Sequence, residues 1–307
     1  MSTASSLTQS RTRISPREKF GAYVALTKPR VIELLLVTAL PTMVLAAGGL
    51  PPLSAVVATL VGGFMSAGSA NAFNMIIDRD IDRVMERTKR RPLVTGTLSV
   101  VEAHVFAWAL AVASTLVLGF MANWVAASFS VAAIFFYVVI YSLVLKRRTE
   151  QNIVWGGIAG CFPVVIGWSA VTGSVDWPAW ILFLLVFLWT PAHYWPLSMK
   201  YRADYTAANV PMLAVVRGKR VVGLQVILYA WASFASTMLL IPVAGMGLLY
   251  SAIAVVAGAW FVAESHMLYN RALREHAEIK AMRVFHASNL YLTLIFVSVG
   301  IDPLLPF

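Results

Sequence analysis

Charge is what this chain has least of. Only 12% of its 307 residues are Asp, Glu, Lys or Arg, where a soluble domain carries about a quarter. With 59% apolar residues, that scarcity excludes an ordinary soluble domain and points to a chain that crosses a membrane many times. Cysteine is nearly absent too. Cys161 stands alone among Gly, Ala, Ile and Phe, so no disulfide within the chain and no cysteine-built metal site can form, and packing is its role. A net charge of +10 is compatible with nucleic acid, but the basic residues fall in short segments between apolar runs. There they read as topology signals, and no nucleic-acid partner is expected.

Residues 1–20 are rich in Ser, Thr and Arg, contain Glu18 as their one acid and lack an apolar stretch. They are not a secretory signal. The expectation is a disordered cytoplasmic tail at 1–20 followed by a single transmembrane domain at 21–307.

Apolar runs of membrane-spanning length recur near 31–49, 53–77, 101–121, 125–145, 153–171, 178–198, 221–241, 244–263 and 284–301. In hydrocarbon each must satisfy its own backbone, so the fold class is all-α: a polytopic membrane protein of nine transmembrane helices. Segments after the second, fourth, sixth and eighth runs carry Lys and Arg, whereas those after the first, third, fifth and seventh carry none. That alternation places the N-terminus and the charged loops in the cytoplasm and the C-terminus outside. The loops after runs two and six are the long ones, and their composition predicts short helices capping one face.

Asn74 to Leu93, NMIIDRDIDRVMERTKRRPL, packs Asp78, Asp80, Asp82 and Glu86 into nine positions of a chain with only fourteen acids. Asn74, Asp78 and Asp82 are spaced by four, so on a helix they share one face. Carboxylates at that spacing repel by on the order of 3 kcal/mol at roughly 6 Å and an effective dielectric near 20, before screening. A hard divalent cation removes the conflict, and Mg²⁺ commonly shares itself with substrate phosphates. The plainer reading is a solvated loop in which neighbouring arginines, Arg79 to Arg91, pair with the acids. On the same side lie Lys28, Arg30, Lys200 and Asp204, a set suited to a metal-bound diphosphate. The basic residues among them also serve as positive-inside anchors.

The pattern N-x-x-x-D-x-x-x-D followed by RTKRRPL resembles the first acidic motif of the UbiA superfamily of intramembrane prenyltransferases. LTKPRVIELLLVT at Leu26 to Thr38, LKRRTEQNIVWGGIAG at Leu145 to Gly160, and WTPAHYWPLSMKYRADYTAANVPML at Trp189 to Leu213 resemble its haem-modifying branch. The resemblance spans nearly the whole chain beyond the tail. It implies a UbiA-type bundle, Mg²⁺ as cofactor, and transfer of farnesyl from farnesyl diphosphate to the 2-vinyl group of haem b with addition of water, giving haem O. It further implies Asn74, Asp78, Asp82 and Asp204 as metal ligands, the three aspartates as catalytic residues, and Asn74, Lys200 and Arg30 as diphosphate contacts. His193 and Arg147 are the implied haem contacts, with Arg148 beside the latter and Glu33 facing the cavity. Where many members have D-x-x-x-D as a second motif, this chain keeps only Asp204, with Lys200 and Ala208 four residues either side. A bacterial inner membrane is the implied location, and a haem A synthase the implied consumer of product. Two other readings remain beside this one: a prenyltransferase with an aromatic acceptor such as 4-hydroxybenzoate, and a divalent-cation transporter. The transporter requires acids deep within several spans, where only Glu33 and Glu264, near run ends, are available.

Overall fold

The structure, a computed structural model, describes residues 14–274 and 278–306, with the side chains of 30–36 excepted. Helix α1 (Pro16–Thr27) starts inside the stretch expected to be a tail. A capping box explains why: Ser15 Oγ accepts from the Glu18 amide, and Glu18 accepts from the Ser15 amide. Lys28 then takes the left-handed conformation (φ 52°), turning the chain into α2 (Pro29–Ala47). After α3 (Leu53–Ile77) come the short helices α4 (Arg79–Val84) and α5 (Pro92–Thr95). Helix α6 (Val100–Met121) precedes α7 (Trp124–Phe135), which runs on as a π-helix over Phe136–Leu145.

The next span is built in three pieces. α8 (Asn152–Gly156) passes through a 3₁₀ turn at Gly157–Cys161 into α9 (Phe162–Thr172). α10 (Trp177–Lys200) is followed by the short α11 (Arg202–Ala207) and α12 (Leu213–Val216), then by α13 (Lys219–Ala244), α14 (Leu248–Leu273) and α15 (Ala281–Ile301). Short helices do follow α3 and α10, as the loop lengths predict.

Among the described residues, eight helices are long and apolar enough to cross a membrane. The expected run not among these eight, the first at 31–49, corresponds to α2, whose described apolar part is Val37–Ala47. One boundary shifts appreciably. The run expected at 244–263 is α14 at Leu248–Leu273, so Glu264 sits well inside a helix rather than near its end. The apolar count missed this because Glu264 is buried and neutralised by Arg283, 2.6 Å away.

Small residues set the packing. α3 lies against α6, where a Cβ on Gly62 would stand 2.7 Å from Leu118 Cγ. Ser69 donates to the Ala107 carbonyl and Ser114 to the Gly62 carbonyl, each at 2.8 Å, the polar contacts available between membrane helices. On α6, Val101, Val105, Trp108, Val112 and Leu116 repeat at helical spacing and face outward, as lipid contact requires. The largest buried cluster joins α10, α13, α14 and α15. At the far end, Asp302 accepts from the amides of Gly247 (2.6 Å) and Tyr250 (3.0 Å), capping α14. At the charged end, Ile81, Met85, Tyr205, Val210 and Met212 pack the α4–α5 and α11–α12 segments together.

Candidate active site

A cavity of about 560 Å³ opens beneath those capping segments. Its lining is divided by chemistry. Ala39, Gly63, Ala67, Ile134, Phe162 and Ile166 are apolar, whereas Lys28, Asn74, Asp82, Arg87, Arg91 and Lys146 supply a charged pole. Tyr137, Tyr141, Tyr194, Tyr205 and Trp189 complete the wall.

Asn74, Asp78 and Asp82 come together as their spacing predicts. Hydrogen bonding continues through the α3–α4 joint: Asp78 N donates to Asn74 O (2.9 Å) and Asp82 N to Asp78 O (2.8 Å). All three are at most 3% exposed. Each carboxylate has its own cation. Lys146 donates to Asp78 Oδ2, and Arg91 Nη1 donates to both oxygens of Asp82 at 2.8 and 2.7 Å. Lys28 Nζ donates to Asn74 Oδ1 at 2.8 Å. Burial pushes the Lys28 ammonium well below its usual pKa; Arg91 and Lys146 push the same way, and Asp78 and Asp82 oppose them.

The π-helix brings Lys146 to this pole. An α-helix advances about 100° per residue, so nine residues from Tyr137 to Lys146 would put the two on opposite faces. With i→i+5 bonds the advance is about 80°, and nine residues return to nearly the starting direction. Both side chains line the cavity, and Lys146 N donates to Tyr141 O, five residues back, at 2.9 Å.

The oxygen donors suit a hard divalent cation. Asp78 is not on the cavity wall, but its Oδ1 is buried and accepts no hydrogen bond; Asn74 lines the cavity, and its Oδ1 accepts from Lys28 Nζ, which lines it too. Among the described residues no three His, Cys, Asp or Glu side chains cluster as a metal site. A cation here would take the amide oxygen with the carboxylates and complete its shell from substrate and water.

Other expected site residues lie apart. Asp204 is not on the cavity wall; its Oδ2 accepts from the Arg87 amide at 3.4 Å, which ties α11 to the first motif's loop. Lys200 lies 5.7 Å from the Tyr201 ring rather than on Asp204. Arg147 is held by Asp80 through bonds of 2.7 and 2.6 Å and lines a separate, shallow cleft with Arg79 and Arg83, although its Nη2 also stands 3.9 Å from Asp78 Oδ1. That guanidinium holds the Asp80 carboxyl down at about 2. His193 is sandwiched between Trp189 and Phe285, with ring centroids 4.2 and 4.5 Å away, and does not line the cavity. The side chains of Arg30 and Glu33 lie outside the described residues, and Arg148 is exposed. Arg91 pairs with an acid as the plainer reading of the loop has it, whereas Lys146 and the tyrosine wall were not singled out by sequence; the Lys146–Asp78 contact bridges 68 residues.

Membrane-spanning helices around a largely apolar cavity, with a basic pole beside Asn74, Asp78 and Asp82, are the arrangement of an intramembrane prenyltransferase. The chain belongs to the UbiA prenyltransferase family, whose model matches residues 35–289. It is 69% identical over 295 residues to protoheme IX farnesyltransferase of Leifsonia xyli subsp. xyli, covering 96% of both chains. The protein of that name from Clavibacter michiganensis subsp. michiganensis is 66% identical over 297 residues, 97% of both. Among solved structures, a UbiA homologue from Archaeoglobus fulgidus bound to DMAPP and Mg²⁺ shares the fold with a TM-score of 0.68 at 15% identity. That match covers 91% of this chain and 99% of the other. A chain from work on digeranylgeranylglyceryl phosphate synthase gives 0.76 at 17% identity, covering 93% and 99%.

Proposed function

We propose that this chain transfers farnesyl from farnesyl diphosphate to the 2-vinyl group of haem b, with addition of water, releasing diphosphate and forming haem O. Near-full-length identity to protoheme IX farnesyltransferases supports the acceptor. The observation that carries the reaction class is the charged pole at one end of an otherwise apolar cavity. Such a shape fits a diphosphate attached to a long isoprenoid.

Asn74, Asp78 and Asp82 would hold Mg²⁺, with Asp204 approaching from α11, and the metal would stabilise charge on the departing diphosphate. Arg91 and Lys146 would turn from the acids, and Lys28 from the Asn74 amide oxygen, onto phosphate oxygens, where charge-assisted bonds hold the leaving group. Lys200 and Arg30 are further candidates for diphosphate contact. Tyr137 and Tyr141, with ring centroids 5.4 Å apart, present π-faces that favour an allylic cation. The apolar part of the wall would keep water from that cation until the vinyl carbon attacks. Arg147 and Arg148 remain candidates for propionate contact, whereas His193, stacked between Trp189 and Phe285 off the cavity wall, is read as packing.

The topology read from the loops completes the proposal. α2 spans as well and brings the count to nine, the N-terminus and the charged end face the cytoplasm, the C-terminus lies outside, and the location is a bacterial inner membrane. A haem A synthase is the proposed consumer of the product.

Purified protein, farnesyl diphosphate, Mg²⁺ and haem b should yield a farnesylated, hydrated haem by chromatography and mass. The product should vanish with EDTA and with Asp78→Ala. Prenylation of 4-hydroxybenzoate in place of haem would keep the site and overturn the acceptor.

A further inference from the structure

We infer that Ser142, which belongs to neither acidic motif, is a positioning residue that fixes the Asn74 amide so that its oxygen faces the cavity. The inference rests on the reading above that Asn74 is a metal ligand.

The geometry assigns the hydrogens. Ser142 is fully buried, and its Oγ donates to the carbonyl of Tyr137 at 2.9 Å. Its only hydrogen is thereby used, so Ser142 meets Asn74 as an acceptor, at 3.0 Å. Asp78 Oδ2 is a second acceptor on the same side of the amide, 2.7 Å away. Two acceptors use both hydrogens of Asn74 Nδ2, which forces Oδ1 into the remaining direction, where Lys28 Nζ donates to it at 2.8 Å. The amide is therefore oriented by its partners, not by arbitrary placement of N and O.

The π-helix makes this possible. In an α-helix a serine hydroxyl bonds the carbonyl three or four residues back. Here the acceptor is five residues back, and the same wide turn that brings Lys146 to the pole aims Ser142 Oγ at α3. With alanine at 142, one buried amide hydrogen of Asn74 loses its partner, and only Asp78 and Lys28 hold the orientation. Partners that orient metal ligands typically change metal affinity by about 10–100-fold when removed.

The test is Mn²⁺ binding to the full-length protein, read by electron paramagnetic resonance with the unreactive analogue farnesyl thiolodiphosphate present. The expected result is a Kd about tenfold higher for Ser142→Ala than for wild type, with Ser142→Thr restoring it. In an Asn74→Ala background, Ser142→Ala should change the Kd by less than about twofold. If Ser142→Ala does not fold, Ser142→Cys, near-equal in size and a weak acceptor, makes the same comparison. An unchanged Kd in Ser142→Ala, no rescue by threonine, or an equal loss without Asn74 would each overturn the inference while leaving the metal reading intact. Absence of Mn²⁺ uptake by wild type would overturn the metal reading and this inference together.

Discussion

Arg91 reaches both oxygens of Asp82 through a single nitrogen, Nη1, and the carboxylate it neutralises is 3% exposed. A buried pair of this kind is costly to break from one side, about 3–5 kcal/mol, because the remaining charge has no partner. Arg91→Met should therefore lower the unfolding temperature markedly. Adding Asp82→Asn should recover much of that loss without recovering activity. Thermal unfolding and haem turnover, measured on the same detergent-solubilised samples, check both halves.

Lys28 carries the opposite balance. Its ammonium is buried among other cations and binds Asn74 rather than a carboxylate, so its folded pKa lies below the ordinary 10.5. Between the two values the unfolded chain holds more protons than the folded one, and stability rises with pH. Lys28→Met should stabilise the protein at pH 7 and flatten that rise, which pH-dependent unfolding will show. The same variant should raise the KM for farnesyl diphosphate by about tenfold, the loss of one charge-assisted bond.

Gly156 tests the tyrosine wall. A Cβ at that position would stand 2.2 Å from Tyr141 Cδ2, so the ring must shift. Gly156→Ala should cost about 1–3 kcal/mol by overpacking and reduce turnover at least about tenfold by displacing the wall. Gly21, exposed on α1 with nothing within 4 Å of an added Cβ, is the control. Gly21→Ala should stabilise by about 0.5–1 kcal/mol and leave turnover unchanged.

The parts of this site that rest on local spacing were legible in the sequence. Asn74, Asp78 and Asp82 share a face because hydrogen bonding continues through the α3–α4 joint, and the two long loops fold into the short helices their length predicts. The π-helix was not legible. FYVVIYSLVL is apolar on nearly every side, so no polar periodicity distinguishes a turn of about 4.4 residues from one of 3.6. Without that register, Lys146 reads as part of a charged loop, and nothing marks Ser142. Glu264 likewise reads as a helix-end acid until Arg283, nineteen residues on, is placed against it.

His193 is where motif and position diverge. A histidine in a haem-modifying chain invites ligation, and its tautomer would allow it. Ser288 Oγ donates to Phe285 O at 2.7 Å, so His193 Nδ1 carries the hydrogen it shares with Ser288 at 2.8 Å, and Nε2 keeps its lone pair. The ring, however, is stacked on both faces and sits at the α10–α15 contact, where Trp189 Nε1 also donates to Ser288 O at 2.8 Å. Position favours packing. His193→Ala should cost about 2–4 kcal/mol of stability by leaving a cavity between two rings, with haem affinity and the haem absorption spectrum unchanged. A shifted spectrum at equal stability would instead make His193 an iron ligand and put haem on the α15 side of α10, away from the cavity.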